Sequence, residues 1–148
     1  MRPVTDAIAA FAAAFVLAEG CFTGTNDGRR YSFSVGLGAA DAGMCGLLSA
    51  FFAVGSITRS PRRKSHYDDE VAFVVGSARE LVEVIVPFMD EHLPPSHKRV
   101  QYLAWRERLL DHWERRAKRV RPCTVDGCDA PRRAYGLCRR HLYEARGI

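Results

Sequence analysis

The fold is decided by residues 12–22, which read Ala-Ala-Ala-Phe-Val-Leu-Ala-Glu-Gly-Cys-Phe. This stretch continues an alanine-rich segment, 7–18, whose composition predicts a helix capped by Thr5 or Asp6. Gly20 is a natural end for that helix. Because the helix is apolar on all sides, we expect it to be buried on more than one side, and its small side chains would let a second helix approach closely.

The chain then alternates between strands and helices. The pattern predicts a hairpin over 21–37 with a turn at Asp27-Gly28, a helix over 41–52, and a second hairpin over 56–75. In the strand 30–37 the large apolar residues fall on one face, whereas the other face is polar, small and basic. One face of the sheet should therefore cover a core.

Two more helices are predicted after the second hairpin. Residues 78–92 are amphipathic and end before Pro94-Pro95, and residues 96–119 form a long last helix. The order helix, hairpin, helix, hairpin, helix, helix predicts an α+β fold with one mostly antiparallel sheet and the helices on its other face. We place the main domain at 1–119 and a separate tail at 120–148.

Composition excludes several classes of protein. The 148 residues are 47% hydrophobic and 26% charged, which suits one globular domain with a small appendage. No apolar run reaches the roughly 18–20 residues of a membrane span, so no membrane partner is expected. Arg2 and the apolar run after it resemble a secretory signal, but Asp6 offsets the charge that such a signal needs.

Charge is concentrated in the tail. The whole chain carries +5, but residues 115–148 hold ten Lys/Arg against three Asp/Glu, a net charge of +7. The preceding residues are close to neutral at −2. A near-neutral body with a basic tail favours a polyanionic partner, most often nucleic acid, although such a tail can also serve solubility alone.

The tail contains the pattern of a zinc site, Cys123-x4-Cys128-x9-Cys138-x2-His141. Three thiols and an imidazole suit tetrahedral Zn²⁺, with the first pair in a tight knuckle and the second pair at the start of a short helix over 137–146. Disulfides or free thiols are the alternative, although five cysteines are an odd number for a disulfide framework. Four protein ligands leave no open position, which disfavours a zinc enzyme.

The zinc module has two possible uses. It can act as a structural cap, or it can contact DNA phosphates through its basic side chains. We favour DNA contact, and the residues expected to make it are Arg132, Arg133, Arg139 and Arg140.

Four segments resemble the LAGLIDADG homing endonucleases. Residues 12–22 resemble the family's motif helix, Ser32-Phe33-Ser34-Val35 its second strand, and residues 47–57 its second helix and the turn that follows. Lys98-Arg99, with Tyr102 and Trp105 after it, is similar to the segment that opens a late helix in the family. The resemblance covers about residues 5–115 in the right order, and it implies the family's αββαββα fold with a saddle-shaped sheet.

The resemblance also implies an assembly. Two motif helices pack against each other in this family, and the sequence holds one copy, so a homodimer with a two-fold axis is expected. The residues expected at that interface are Ala9, Ala10, Ala13, Ala14 and Leu17. Two of these depart from the family pattern, since Ala14 replaces a common Gly and Leu17 replaces an Asp.

The resemblance assigns the chemistry to the end of the motif helix. Glu19, with Gly20, is expected to hold Mg²⁺ or Mn²⁺, and Lys98 is expected to be a second catalytic residue. Residues 39–42 lack the basic or amide side chains that many members carry there.

The polar face of the sheet is implied to lie along the DNA major groove, although it could instead be an ordinary solvent face. The residues expected to contact DNA there are Thr23, Thr25, Arg29, Arg30, Ser32, Ser34, Thr58, Arg59, Arg62, Arg63 and Lys64.

The function implied is sequence-specific, metal-dependent cleavage of both strands of double-stranded DNA at a long, near-palindromic target. Such an enzyme serves the mobility of its own gene, for example within an intron or intein, and we expect a cytoplasmic protein of bacterial or phage origin. The alternative is a non-cleaving DNA-binding protein on the same fold, such as a regulator or an intron-splicing helper. An intact Glu19 favours the nuclease, because a carboxylate near phosphates repels DNA unless a cation lies between them.

Overall fold

The computed structural model describes residues 2–61, 65–66, 68–119 and 121–147. Its helices are α1 (Arg2–Glu19), α2 (Ala42–Phe52), α3 (Ala78–Glu80), α4 (Val86–His92), α5 (His97–Arg119) and α6 (Arg139–Arg146). Its strands are β1 (Gly20–Gly24), β2 (Tyr31–Gly38), β3 (Ser56–Ser60), β4 (Glu70–Val75), β5 (Arg132–Ala134) and β6 (Leu137–Cys138). Contacts divide the chain into two compact units, Met1–Leu110 and Asp111–Ile148, so the division falls within α5.

The first unit contains a four-stranded sheet in the order β1-β2-β4-β3, with every neighbouring pair antiparallel. The predicted α+β fold with an antiparallel sheet is therefore confirmed. Phe33 lies opposite Phe22 on β1 and opposite Val75 on β4, so large apolar side chains share one face across three strands. The predicted alternation in β2 is also confirmed, because Phe33 and Val35 are fully buried and Ser32 is not.

Helices cover that apolar face. Val16 of α1, Phe52 of α2, Met89 of α4 and Tyr102 of α5 belong to one buried cluster with the sheet residues. Burying such apolar side chains is the main favourable contribution to folding, at roughly 1.5–3 kcal/mol for each large one. The core thus holds the end of α1 and the start of α5 against the same sheet.

A polar network within this core positions α5 against α4. The Tyr102 hydroxyl donates to Asp90 Oδ1 at 2.6 Å, and Arg106 forms an ion pair with Asp90 at 2.9 Å. Burial raises the pKa of Tyr102, and the hydrogen bond to Asp90 raises it further, so the phenol stays protonated. The Trp105 indole N–H donates to the Thr23 carbonyl at 2.9 Å and so connects α5 to β1.

Some predicted boundaries differ from those observed. Helix α1 begins at Arg2 rather than at residues 5–6. The predicted helix over 78–92 contains a wide turn of π geometry at Leu81–Ile85. Pro87, in the first turn of α4, explains this irregularity, because proline has no N–H to donate and its ring crowds the carbonyl four residues earlier.

Within the ranges described above, no helix is long and apolar enough to cross a membrane.

Candidate functional site

The end of α1 and the start of β1 meet without a loop. Glu19 is the last residue of the helix and Gly20 is the first residue of the strand. A Cβ atom at Gly20 would lie 2.5 Å from the carbonyl oxygen of Val16, so only glycine fits this junction. Glu19 is exposed, and its carboxylate has no hydrogen-bonding or ionic partner among the described residues.

Lys98 lies against the same junction although it is 78 residues away in sequence. Its Nζ atom donates a hydrogen bond to the Gly20 carbonyl oxygen at 2.6 Å, and its side chain is half-buried. Two residues expected to act together, Gly20 and Lys98, are therefore in contact. The second residue of α5 can make this contact because Trp105, farther along the same helix, is also anchored to β1.

An open groove of about 430 Å³ runs beside this junction. Lys98, Gln101, Trp105 and Arg108 line it from α5, at the spacing of one helix face, and residues of β1 line it opposite. The guanidinium of Arg108 also lies 5.9 Å from the centre of the Tyr31 ring. The sequence analysis did not predict Gln101 or Arg108. They lie three and ten residues after Lys98, which places them on the same face of the helix, and this spacing could have identified them.

The outer face of the sheet is lined by small polar side chains, as expected. Thr23 pairs with Ser32 across β1 and β2, and their hydroxyl oxygens lie 2.6 Å apart. Ser34 and Thr58 share this face by strand register, and Thr58 is exposed. On this face the polar side chains of β1 and β2 are separated from Thr58 on β3 by Ala72 and Val74 of β4.

The hairpin loop after β1 holds three more of the predicted DNA-contacting residues. Thr25 Oγ1 donates to Asp27 at 2.5 Å, and the Arg29 guanidinium lies 3.8 Å from the same carboxylate. The hydrogen bonds from Thr25 and from the Arg29 N–H lower the pKa of Asp27. Arg30 is exposed at the start of β2, and Gly28 supplies the positive φ that the predicted turn requires.

Arg59 is a correction to the predicted DNA-contacting set. It lies opposite Val71 in the register of β3 and β4, which places it on the apolar side of the sheet rather than beside Thr58. At this edge its guanidinium is bound to Asp69 at 3.2 Å. Arg62, Arg63 and Lys64 lie outside the described residues.

The predicted dimer-interface residues divide between two sides of α1. Ala10 and Ala14 are exposed and Leu17 is partly exposed, so these three remain available to a second helix. Ala9 and Ala13 are corrections, because they are 6% and 3% exposed and are buried within the chain itself. The helix also exposes Phe11 at 48%, which is unusual for a large apolar side chain.

The second unit brings together the four predicted zinc ligands. The ligand atoms of Cys123, Cys128, Cys138 and His141 all lie within 4.8 Å of one another. His141 Nδ1 lies 3.2 Å from Cys123 Sγ and 3.4 Å from Cys138 Sγ. Ligands of a tetrahedral zinc ion with Zn–S near 2.3 Å stand roughly 3.4–3.8 Å apart, so the residues fit such an ion.

Local backbone structure explains this arrangement. The Cys128 N–H donates to the Val125 carbonyl at 3.1 Å, and Gly127 has a φ of +74°, which forms the predicted knuckle. Cys138 is the N-cap of α6, so His141 lies one helical turn later on the same side. The short hairpin of β5 and β6, with a tight turn at Tyr135-Gly136, was not predicted.

The chemistry of Cys123 suits metal binding. Burial by itself raises the pKa of this thiol, but the N–H groups of Val125 and Cys138 and the side chain of His141 outweigh burial and lower the pKa to about 6. The Cys138 N–H lies 3.3 Å from Cys123 Sγ. A thiolate is the form of cysteine that binds metal, so these contacts favour the ligating form of Cys123. At Cys128, by contrast, a backbone hydrogen bond lowers the pKa, but burial and the neighbouring thiols of Cys138 and Cys123 outweigh it and raise the pKa.

The basic residues of the tail differ in their surroundings. The Arg139 guanidinium lies 5.7 Å from the centre of the Tyr143 ring, and Arg140 lies 3.6 Å from Glu144. Arg132 and Arg133 are exposed on β5. The four predicted arginines are therefore not one surface patch with a single environment.

A family model described as LAGLIDADG endonuclease matches residues 13–109, which include the end of α1, the four-stranded sheet and the first half of α5. The chain belongs to the LAGLIDADG endonuclease family. The match includes Glu19, Gly20 and Lys98 and ends before the four cysteine and histidine ligands. No curated protein matches the sequence.

Solved LAGLIDADG structures share this fold. I-SmaMI bound to cleaved DNA is 24% identical with a TM-score of 0.59, and the match covers 74% of this chain and 37% of that one. I-CpaMI bound to uncleaved DNA is 20% identical with a TM-score of 0.60, covering 73% and 39%. The chain therefore spans about two fifths of the length of these two proteins. I-TnaI, a homing endonuclease, is 23% identical with a TM-score of 0.57, covering 72% and 74%.

Proposed function

We propose that the chain is a sequence-specific DNA endonuclease that acts as a homodimer and cleaves both strands of a long, near-palindromic target in the presence of a divalent cation. The observation that carries this proposal is the junction of α1 and β1, where an exposed and unpaired Glu19 adjoins the Gly20 carbonyl that Lys98 contacts. A protein that only bound DNA would have no use for an uncompensated carboxylate near phosphates.

The donor set at this junction fits Mg²⁺ or Mn²⁺. The Glu19 carboxylate and the Gly20 carbonyl are oxygen ligands, which these hard cations prefer. A carbonyl oxygen has two lone pairs, so Gly20 can accept from Lys98 and still ligate a cation. A cation bound by these residues would supply activation of water and stabilisation of the leaving oxygen in phosphodiester hydrolysis.

Side chains of the protein itself would stabilise the transition state and recognise the DNA. The Lys98 ammonium, held beside the junction, provides a fixed positive charge for the charge that develops on a phosphate in the transition state. The hydroxyls of Thr23, Ser32, Ser34 and Thr58 can hydrogen-bond base edges in a major groove. Symmetry supplies the second cleavage centre, since each copy contributes one Glu19 and one such polar face.

One feature of helix α1 supports the homodimer. The helix leaves Ala10, Ala14 and the large side chain of Phe11 exposed, and contiguous apolar surface of this kind is typical of an interaction face. We expect the two α1 helices to pack across the two-fold axis through Ala10, Ala14 and Leu17.

In the second unit, we propose one structural Zn²⁺ held by Cys123, Cys128, Cys138 and His141. The second unit is too small for a core of its own, so the metal would contribute the free energy that folds it. Its basic surface would add sequence-independent contacts to phosphates.

Cleavage can be tested on supercoiled plasmids that carry a randomised insert. We expect linear product with Mg²⁺ or Mn²⁺ and none with a chelator, and sequencing of the captured ends should converge on a near-palindrome. Glu19→Gln should abolish cleavage and leave binding intact or tighter, because the variant removes a negative charge next to DNA. Glu91→Gln, an exposed carboxylate on α4, is the control and should cleave normally.

Cleavage by Glu19→Gln at the wild-type rate would contradict the assignment of the site. Linear product in the presence of the chelator would contradict the metal dependence. Specific binding of the wild type without any cleavage would favour the alternative of a non-cleaving DNA-binding protein.

A further inference from the structure

Five arginines of the second unit line one open groove of about 500 Å³. They come from two separate stretches of sequence: the end of α5 with Arg121 just beyond it, and the strand β5 with Pro131 just before it. The lining residues are Arg116, Arg119, Arg121, Pro131, Arg132 and Arg133. Sequence reasoning singled out Arg132 and Arg133 but missed the other three.

Backbone hydrogen bonds hold the two stretches together. The Arg132 N–H donates to the Arg121 carbonyl at 3.0 Å, and Pro122 and Pro131 form an antiparallel bridge beside it. The next bond in this ladder runs from the Cys123 N–H to the Ala130 carbonyl at 2.9 Å. The wall of the groove is therefore continuous with the metal-binding knuckle.

The positive charge of the groove is not compensated. Among the described residues, none of its five arginines forms an ion pair, whereas their neighbours Arg115 and Arg140 pair with Asp111 and Glu144. The helix dipole favours cations in the last turn of α5, which accounts for Arg116 and Arg119. It does not account for the arginines that lie beyond the helix.

We propose that this groove binds the sugar-phosphate backbone of double-stranded DNA. Guanidinium groups bind phosphate oxygens through paired hydrogen bonds, and five of them along one groove suit a polyanion better than a single phosphate. Among the residues that the structure describes, no aromatic side chain lines the groove, which disfavours stacking of unpaired bases and so favours a duplex over a single strand. The inference rests on the proposed function, since it supplies that nuclease with a second contact to its substrate.

The four tail arginines that were expected to contact DNA are not equivalent with respect to this groove. Arg132 and Arg133 belong to it, whereas Arg139 and Arg140 lie outside it and are engaged by Tyr143 and Glu144. The proposal therefore assigns the phosphate contacts of the tail to the groove rather than to its basic residues in general.

The test compares two full-length variants with the same loss of charge on the same helix. Arg116→Gln/Arg119→Gln removes two groove residues, and Arg115→Gln/Lys118→Gln removes their sequence neighbours, which do not line the groove. Binding of a fluorescent duplex of arbitrary sequence is measured over a series of KCl concentrations. Each neutralised phosphate contributes about 0.9 to the log–log salt slope, so the groove variant should lower the slope by about 2.

We expect the groove variant to lose at least about tenfold in affinity at low salt, because charge-assisted hydrogen bonds are lost. The neighbour variant should lose less than half as much in slope. Zinc content and circular dichroism should match the wild type for both. If the groove variant loses its zinc, Arg133→Gln on the exposed strand β5 replaces it, with an expected slope change of about 1.

Three results would overturn the proposal: equal losses in the two variants, an unchanged slope in the groove variant, or tighter wild-type binding of duplex RNA or single-stranded DNA than of duplex DNA. Different results would contradict the proposed nuclease function. If the wild type cleaves plasmid while the groove variant binds unchanged, only the groove assignment is wrong. If the wild type binds no DNA, the nuclease proposal itself is wrong.

Discussion

At the scale of single residues, Lys98 connects the late helix to the motif by one short hydrogen bond to Gly20. We expect Lys98→Gln to slow cleavage at saturating DNA by about 10²-fold or more, because a fixed charge beside the reacting phosphate is removed. Affinity for DNA should change little by comparison. The measurement is single-turnover cleavage of the selected target.

The variant Lys98→Arg tests whether the positive charge alone is enough or whether the compact shape of the ammonium group is also needed. A guanidinium keeps the positive charge but cannot occupy the place of a compact ammonium, so partial recovery is expected. Lys118→Gln, an exposed residue of the same helix, is the control and should leave the saturated rate unchanged. A wild-type rate for Lys98→Gln would show that the contact with Gly20 is structural only.

Tyr102 tests the packing that holds α5 in place. Its hydroxyl is buried and donates to Asp90. Tyr102→Phe leaves that acceptor without its donor, so we expect the free energy of unfolding to fall by about 1–2 kcal/mol. Urea denaturation measures the loss, and Tyr143→Phe, an exposed tyrosine, should show none.

The same residue predicts a dependence on pH. Burial and the bond to Asp90 raise the pKa of Tyr102 above its ordinary value of 10.0, so above pH 10 the unfolded chain releases a proton that the folded chain keeps. The unfolded state then binds fewer protons, and stability falls as pH rises. Wild type should lose stability above pH 10 more steeply than Tyr102→Phe, and parallel losses would contradict this account.

At the scale of elements, helix α1 has one side in the core and one side open. Ala14→Leu adds bulk on the exposed side, so we expect it to disrupt the homodimer and leave the fold of each copy intact. Ala13→Leu adds bulk on the buried side and should destabilise the fold by about 1–3 kcal/mol. Sedimentation and thermal unfolding together distinguish the two effects.

A stable wild-type monomer at micromolar concentration would contradict the dimer. A dimer that persists in Ala14→Leu would place the interface elsewhere on the chain.

Sequence patterns predicted those elements whose periodicity is imposed by burial. Strand β2 alternates because Phe33 and Val35 face the core, and α1 ends at Glu19, directly before a position where only glycine fits. The two sides of α1 could not be distinguished, since Ala13 and Ala14 are equally small and apolar. The hairpin β5–β6 was missed because strands of three and two residues are too short to show a period.

The residues of the candidate sites also fall into those that the sequence could predict and those that it could not. The clustering of Cys123, Cys128, Cys138 and His141 was predictable because their types and their spacing follow the pattern of zinc sites. The arginine groove was not, because its residues are brought together by backbone pairing between stretches with no characteristic spacing. Arg59 was misassigned because the face of an edge strand is set by its register, which composition does not reveal.

At the scale of the whole molecule, the two compact units should respond differently to loss of metal. We expect about one zinc per chain, and removal by a chelator should unfold the second unit and leave the sheet of the first unit folded. Binding to duplexes of arbitrary sequence should weaken while the urea midpoint of the first unit stays unchanged. Limited proteolysis should then cleave only after Leu110.

Zinc below half an equivalent in protein purified without chelator would count against the metal site. Unfolding of both units together on chelation would contradict the expectation that they fold independently. Cys128→Ser should reproduce the chelated state at neutral pH, whereas Cys21→Ser, an exposed cysteine away from the four ligands, should not.

The junction of α1 and β1 also bears on how such a gene would decay once its activity is no longer selected. A side chain at Gly20 collides with the backbone of Val16, so a mutation there damages folding in any copy that still makes protein. Glu19 is exposed and supports no contact among the described residues, so its loss leaves the fold untouched. A copy that loses the glutamate therefore still makes a folded protein, which can compete for DNA without cutting it, whereas a copy that loses the glycine makes a protein that folds poorly.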